Sequence, residues 1–250
     1  MDFKDKNIKY YSYGFIFPQL LRKYWFWFAK PFDVKGAAMV NFFSYEKYDV
    51  EGFKMRAGLT TIIDLELSLD ELWSKTRKKF IQKQINRGER NGIIVKRDPN
   101  FGQLKKIYKE FRKTSDLPKD NINIYKKNCD LMAAYYKDEM IAGGIFVSNG
   151  VYMRALVLAS VRKSKDSQQR EIVGQANRML IWETIKYAKD SQHKHLDLGG
   201  ISPNSDKEQL RSLAEFKEAF GGERKDNYYY FKVYSPIIKW WMRLRGFTNV

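Results

Sequence analysis

The sequence predicts an α/β protein, a mixed β-sheet with helices on both faces. Three observations carry that reading. From residue 60 onward, short alternating β-branched runs interleave with apolar residues at helical spacing. Between two of the runs stands Asn149-Gly150, the strongest short hairpin signal, which makes the flanking strands antiparallel neighbours. Helical runs end at Asn91-Gly92 and at Gly221-Gly222, where the chain needs a left-handed residue to stop a helix.

The elements follow in order. Residues 60–67 alternate and form a strand. Ser68 is an N-cap, Asp70 and Glu71 suit the positive end of a helix dipole, and a basic helix runs over 69–90. A strand at 93–97 and a helix at 101–114 come next. Three strands then cover 130–136, 139–148 and 152–160, the first two joined by a turn at Lys137-Asp138. A helix spans 174–189, a short strand 195–198 ends in Gly199-Gly200, a helix spans 207–220 and a final strand 228–234. Residues 1–50 form an extension of another character, with aromatic and basic residues interleaved. Within it a helix over 18–30, apolar almost all the way round, suits packing on the fold or lying in a bilayer interface. A basic aromatic segment at 236–250, with Trp240, Trp241, Lys239 and Arg243, echoes it after the main domain at 51–235. Either end can equally pack on the fold.

Composition bounds the class. At 250 residues and 44% hydrophobic, with 17 Phe, 16 Tyr and 6 Trp, the chain has material for a large core. A chain of this length buries roughly 70–75% of its unfolded surface, so no disulfide is required. None can form within it, because Cys129 is the single cysteine, which suits a reduced, cytoplasmic setting, at the inner face of a membrane if the ends contact it. No apolar run reaches the length of a spanning helix, and the N-terminus lacks the pattern of a secretory signal. The net charge of +17 gives a field that attracts polyanions such as nucleic acid, nucleotide-sugars, coenzyme A or an anionic bilayer. Solubility accounts for the same surplus.

Candidate chemistry is sparse. Lys79, Lys83, Arg87 and Arg90 form a stripe on the helix at 69–90, matching a row of phosphates or a solvated helix face. His193 and His195 flank Lys194 without a carboxylate or cysteine at ligand spacing, so no metal is expected. No nucleophile elbow, Walker loop or dinucleotide fingerprint is present. Asp197, at the end of its strand, is placed to orient an amine or act as a base, or else to cap the next turn.

Three segments carry a resemblance. LELSLDELWSKTRKKFIQKQINRGERNGIIV at 65–95 passes from a strand through Leu-Trp and a run of Arg and Lys to Asn-Gly. ANRMLIWETIKYAKDSQHKHLDLGG at 176–200 joins an Asn-containing helix to Asp-Leu-Gly-Gly, and LAEFKEAFGG at 213–222 supplies Phe-Lys-x-x-Phe-Gly. Together, in this order, they are similar to the Fem-like family of the GNAT acyltransferase superfamily over roughly residues 60–234. The element order also matches a GNAT domain.

The resemblance implies a single-domain N-acyltransferase. It would move an aminoacyl group from aminoacyl-tRNA, or an acyl group from coenzyme A, onto an amine of a cell-wall, peptidoglycan or polysaccharide precursor. Both donors are substrates, so no tightly bound cofactor is implied. In such enzymes a β-bulge N–H polarises the carbonyl and the amine attacks directly. Lys217 matches the family lysine near the donor phosphate and the reacting centre, with Asp197 the second catalytic candidate. Donor contacts fall on Arg170, Gly174, Gln175 and Asn177, where the superfamily holds a pyrophosphate at a helix N-terminus. Glu171 stands there in place of the usual Gln or Arg donor. Lys79, Lys83, Arg87, Tyr152 and Arg154 are the substrate-side candidates. Bridge-forming members carry a second GNAT domain and a helical arm, neither of which 250 residues accommodate. The alternative function is a non-catalytic module holding tRNA or anionic lipid.

Overall fold

A computed structural model describes residues 9–13, 22–113, 121–127, 129–161 and 166–244. The chain divides into two compact units, Met1–Leu59 with Lys225–Val250, and Thr60–Arg224.

The first unit begins with three strands, β1 (Lys9–Tyr13), β2 (Lys23–Trp27) and β3 (Met39–Ser44). β2 pairs antiparallel with β1 and parallel with β3, with Phe26 opposite Phe42. The helix expected over 18–30 is therefore a strand at 23–27, while residues 18–21 lie outside the described residues. Tyr24, Trp25, Phe26 and Trp27 are strong β-formers, and their rings sort by alternation. Phe26 stacks on Phe42 with centroids 4.7 Å apart, and Trp27 meets Phe43 at 5.4 Å on the other face. β4 (Lys54–Asp64) starts in this unit and enters the second at Thr60.

In the second unit α1 (Leu69–Lys75) opens with the expected cap. Ser68 Oγ accepts the Glu71 N–H at 3.2 Å, and a Glu71 carboxylate oxygen accepts the Ser68 N–H at 2.7 Å, a complete capping box. The single helix expected over 69–90 is broken. Thr76 takes an extended ψ, its N–H and hydroxyl both donate to Trp73 O, and a π-helical turn (Lys78–Gln82) precedes α2 (Lys83–Arg90). Gly221 explains the close packing there. Its φ is +81°, and a Cβ would lie 2.9 Å from Lys75 O.

β5 (Ile94–Arg97), α3 (Phe101–Lys113), β6 (Asp130–Tyr136), β7 (Glu139–Ser148) and β8 (Tyr152–Ser160) follow. The four strands form an antiparallel meander, and β6, β7 and β8 have the bounds their alternation predicts. α4 (Ser167–Asp190) starts seven residues before the expected 174, because the Asp166 carboxylate accepts the Gln168 and Gln169 N–H groups at 3.0 and 3.3 Å. β9 (His195–Ile201) runs through Gly199-Gly200 instead of stopping there, and α5 is Glu208–Glu218. The unit's strand order is β4-β9-β8-β7-β6-β5. Its core joins Ile63, Ile81 and Ile85 to Phe146, Leu180, Ile185 and Phe220.

β10 (Glu223–Val233) returns to the first unit, where the strand order is β1-β2-β3-β10-β4. α6 (Pro236–Leu244) packs Ile238 with Ala38 and Val233. Among the described residues no helix is long and apolar enough to cross a membrane.

Candidate functional site

The site begins where two parallel strands part. β8 and β9 are paired only from Tyr152 opposite His195 to Arg154 opposite Asp197. Immediately beyond, β8 bulges: Ile145 of β7 faces Val157 and Phe146 faces Ala155, so Leu156 is the extra residue. A bulge bends its strand and takes one residue out of the regular ladder. A cavity of about 590 Å³ lies past the bulge, walled by the end of β8 from Leu158 to Val161, by α4, by Gln209, Ser212, Leu213 and Phe216 of α5, and by Phe111 of α3.

Lys217 lies at the head of this divergence. In α5 it stands one turn after Leu213 and Ala214, and it is buried to 6% exposure. Its Nζ donates to Gly200 O at 2.8 Å. Gly199 has φ +84°, and a Cβ there would sit 3.3 Å from Lys217 Nζ and 3.1 Å from Ala155 O, so only glycine lets amine, bulge and strand end meet. Loss of water pulls the Lys217 ammonium down to about 7; the negative charge of Asp197 opposes this and the positive charge of Arg154 adds to it.

Beneath the amine is a closed polar cluster. The Arg154 guanidinium pairs with one carboxylate oxygen of Asp197. The other oxygen accepts the Thr60 hydroxyl and the Gly199 N–H, the latter at 2.6 Å. Arg154, Asp197 and Thr60 are all buried. A carboxylate removed from water is retained only with such partners. Asp197 therefore fixes the strand end under Lys217 and neutralises Arg154.

Arg170, Gly174 and Asn177 wall the cavity. The Asn177 amide donates to Ser160 Oγ at 3.2 Å across the α4–β8 face. Gln175 points elsewhere. It is buried, accepts from Asn91 Nδ2 at 2.8 Å and donates to Glu171 at 3.3 Å. Because α4 begins at Ser167, residues 174–176 lie inside the helix, where backbone N–H groups serve the i→i−4 ladder rather than a ligand. The capped helix start already carries the Asp166 carboxylate. Glu171, standing where a donor is usual, is paired with Arg87 at 2.9 Å.

Of the remaining candidates, Lys79 and Lys83 are exposed, and the π-helical turn between them breaks their four-residue register. Tyr152 stacks against the His195 ring at 4.8 Å. Cys129 is half-buried at a separate small cavity. Sequence reasoning passed over Thr60 and Arg178. Arg178 donates to Phe80 O at 2.7 Å and Gly174 O at 2.8 Å, lies over the Phe80 ring at 4.3 Å and lines the cavity. A charged residue amid the apolar 176–182 run is the one signal that pointed to it.

No family model matches this chain, and no curated protein does. Solved structures do. A crystal structure of FemX superposes with a TM-score of 0.57 at 14% identity, over 83% of this chain and 75% of that one. The structure of L-PGS from Bacillus licheniformis gives 0.53 at 15%, over 83% and 72%. The C-terminal domain of a lysylphosphatidylglycerol synthetase from Agrobacterium fabrum, described as putative, gives 0.52 at 10%, over 88% and 81%. At such identities the likeness is one of fold, a mixed α/β sheet in which β8 and β9 run parallel.

Proposed function

We propose that this chain is an aminoacyl- or acyltransferase acting on an amine of a cell-envelope or polysaccharide precursor, with the cleft between β8 and β9 as its reaction site. The observation that carries the reading is the Lys217 amine, buried against the end of β9 next to the bulge of β8 and drawn toward neutrality. In the step it serves, a neutral acceptor amine attacks the donor carbonyl. The C–N bond forms, the C–O or C–S bond to the carrier breaks, and one proton leaves the attacking nitrogen for the departing oxygen or sulfur. Near pH 7 Lys217 can take that proton and return it, since a relay works best with a pKa close to ambient pH. A bulge N–H is the donor suited to the developing oxyanion. Arg154 and Asp197 act through Lys217 and the strand end, as positioning residues.

Of the two donors, an acyl-coenzyme A and an aminoacyl-tRNA, we take aminoacyl-tRNA as the one to test first. Residues 174–176 lie within α4, and the Asp166 carboxylate already accepts the Gln168 and Gln169 N–H groups of its first turn. The acceptor is then a peptide, saccharide or lipid amine.

The test pairs two measurements on the purified chain. The first is release of labelled amino acid from aminoacyl-tRNA into a lipid-linked precursor fraction. The second is calorimetry with acetyl-coenzyme A at physiological salt. Transfer from tRNA that is lost in Lys217→Met is the expected result. Micromolar acetyl-coenzyme A binding without tRNA-dependent transfer would move the donor to coenzyme A, and neither activity would leave a non-catalytic binding module.

A further inference from the structure

α6 carries two apolar faces and buries one. Ile238 is 7% exposed and packs with Ala38 and Val233, joined by Met242. Ile237, Trp240, Trp241 and Leu244 stand outside that contact, 59%, 63%, 46% and 66% exposed. Their spacing is i, i+3, i+4 and i+7, so they share one stripe about 100° wide on the helix. Isolated exposed apolar residues are ordinary, but four large ones in register, two of them Trp, form a patch that marks an interaction surface.

The charge around the stripe decides the occupant. Residues 236–250 contain Lys239, Arg243 and Arg245 and no Asp or Glu. A second copy of a +17 chain would bring cations onto cations there. An anionic bilayer offers phosphates to the cations and an acyl boundary to the stripe, and Trp is the side chain that favours the level between the two. We propose that α6 is a membrane-surface foot, lying in the headgroup plane of an anionic bilayer with Ile237, Trp240, Trp241 and Leu244 toward the acyl chains. A nine-residue helix gives reversible docking, since interfacial affinity scales with the apolar area buried and with attraction to anionic lipid. The proposal is independent of the transfer chemistry.

The test is flotation of the full chain with vesicles of phosphatidylcholine alone and of phosphatidylcholine mixed with phosphatidylglycerol. Wild type is expected to float with the mixed vesicles and to be released as salt is raised. Trp240→Ser with Trp241→Ser is expected to lower the bound fraction at least about tenfold, as removing two aromatic side chains that bury in the bilayer should, with thermal unfolding measured alongside to show that the double variant is folded. Wild type that stays with the unfloated protein overturns the proposal, as does a double variant that floats like wild type. Light scattering covers the other occupant: a wild-type dimer that the double variant dissociates, with flotation unaffected, assigns the stripe to a second copy. Lys217→Met is expected to float like wild type while losing transfer, which keeps the two readings separable.

Discussion

Lys217 should leave a signature in the pH dependence of stability. Its ammonium is drawn from the ordinary 10.5 to about 7 in the folded chain, chiefly by burial. Between those values the unfolded chain holds a proton that the folded chain does not, so stability rises with pH across the window and is flat below about 7. The full span amounts to on the order of 5 kcal/mol. In denaturant titrations from pH 7 upward, wild type should gain stability relative to Lys217→Met by that amount. A pH-independent difference between the two proteins would mean the amine is charged in the fold. Arg154 adds a second expectation. Arg154→Met removes the guanidinium that pairs with the buried Asp197 carboxylate, which should cost about 3–5 kcal/mol. It also removes the cation that opposes protonation of Lys217, so the rising limb of the transfer-rate profile should move to higher pH. Arg154→Lys, which restores the charge, should bring the limb back; a limb unmoved by Arg154→Met would confine Arg154 to a structural role.

At the scale of elements, the start of α4 bears most directly on the proposed donor. The helix begins at Ser167 on the Asp166 cap, and Gly174, which reads in the sequence as a helix opening, lies within it with the Arg178 guanidinium 3.4 Å from where a Cβ would project. Asp166→Ala should cost about 1 kcal/mol in denaturant unfolding. A cost near zero would mean that the helix does not depend on this cap and that its first turns are open to an anion. The same element shows what the sequence concealed. Strands β6, β7 and β8 were legible to the residue because alternation and tight turns are local signals. β2 was not, since aromatic residues around every side suit helix and strand alike, and pairing with a segment at 39–44 settles the choice. The break at Thr76 was hidden because it depends on backbone packed against Gly221, far along the chain. In the site, Lys217 was visible only through the Phe-Lys-x-x-Phe-Gly resemblance, since by position alone it reads as an exposed helix residue, whereas the fold buries it. Arg154 stood out as a charge within an apolar strand, but nothing local announced Thr60 as the third member of its cluster, because that contact joins strands 94 residues apart.

For the whole molecule the controlling quantity is the net charge of +17, which binds any tRNA at low ionic strength and therefore tests nothing by itself. Counterion release makes that general attraction fall linearly in log affinity against log salt, with a slope set by the number of phosphates neutralised. Recognition of the aminoacyl ester in the β8–β9 cleft is a different contribution, because the ester carries no phosphate and its contacts are short-ranged and buried. Charged and uncharged tRNA should accordingly show parallel salt slopes, with a constant offset favouring the charged form that survives at physiological salt. Lys217→Met should shrink the offset and change the slope by no more than about one phosphate contact. Charge reversal at the exposed Lys79 and Lys83 should do the opposite, flattening the slope for both tRNAs and leaving the offset intact. Filter binding across a salt series reads both quantities at once. Coincident lines for charged and uncharged tRNA would remove the aminoacyl ester from the proposed site and reduce the tRNA affinity to field alone, whereas an offset abolished by Lys217→Met would tie the donor's reactive end to the buried Lys217 amine.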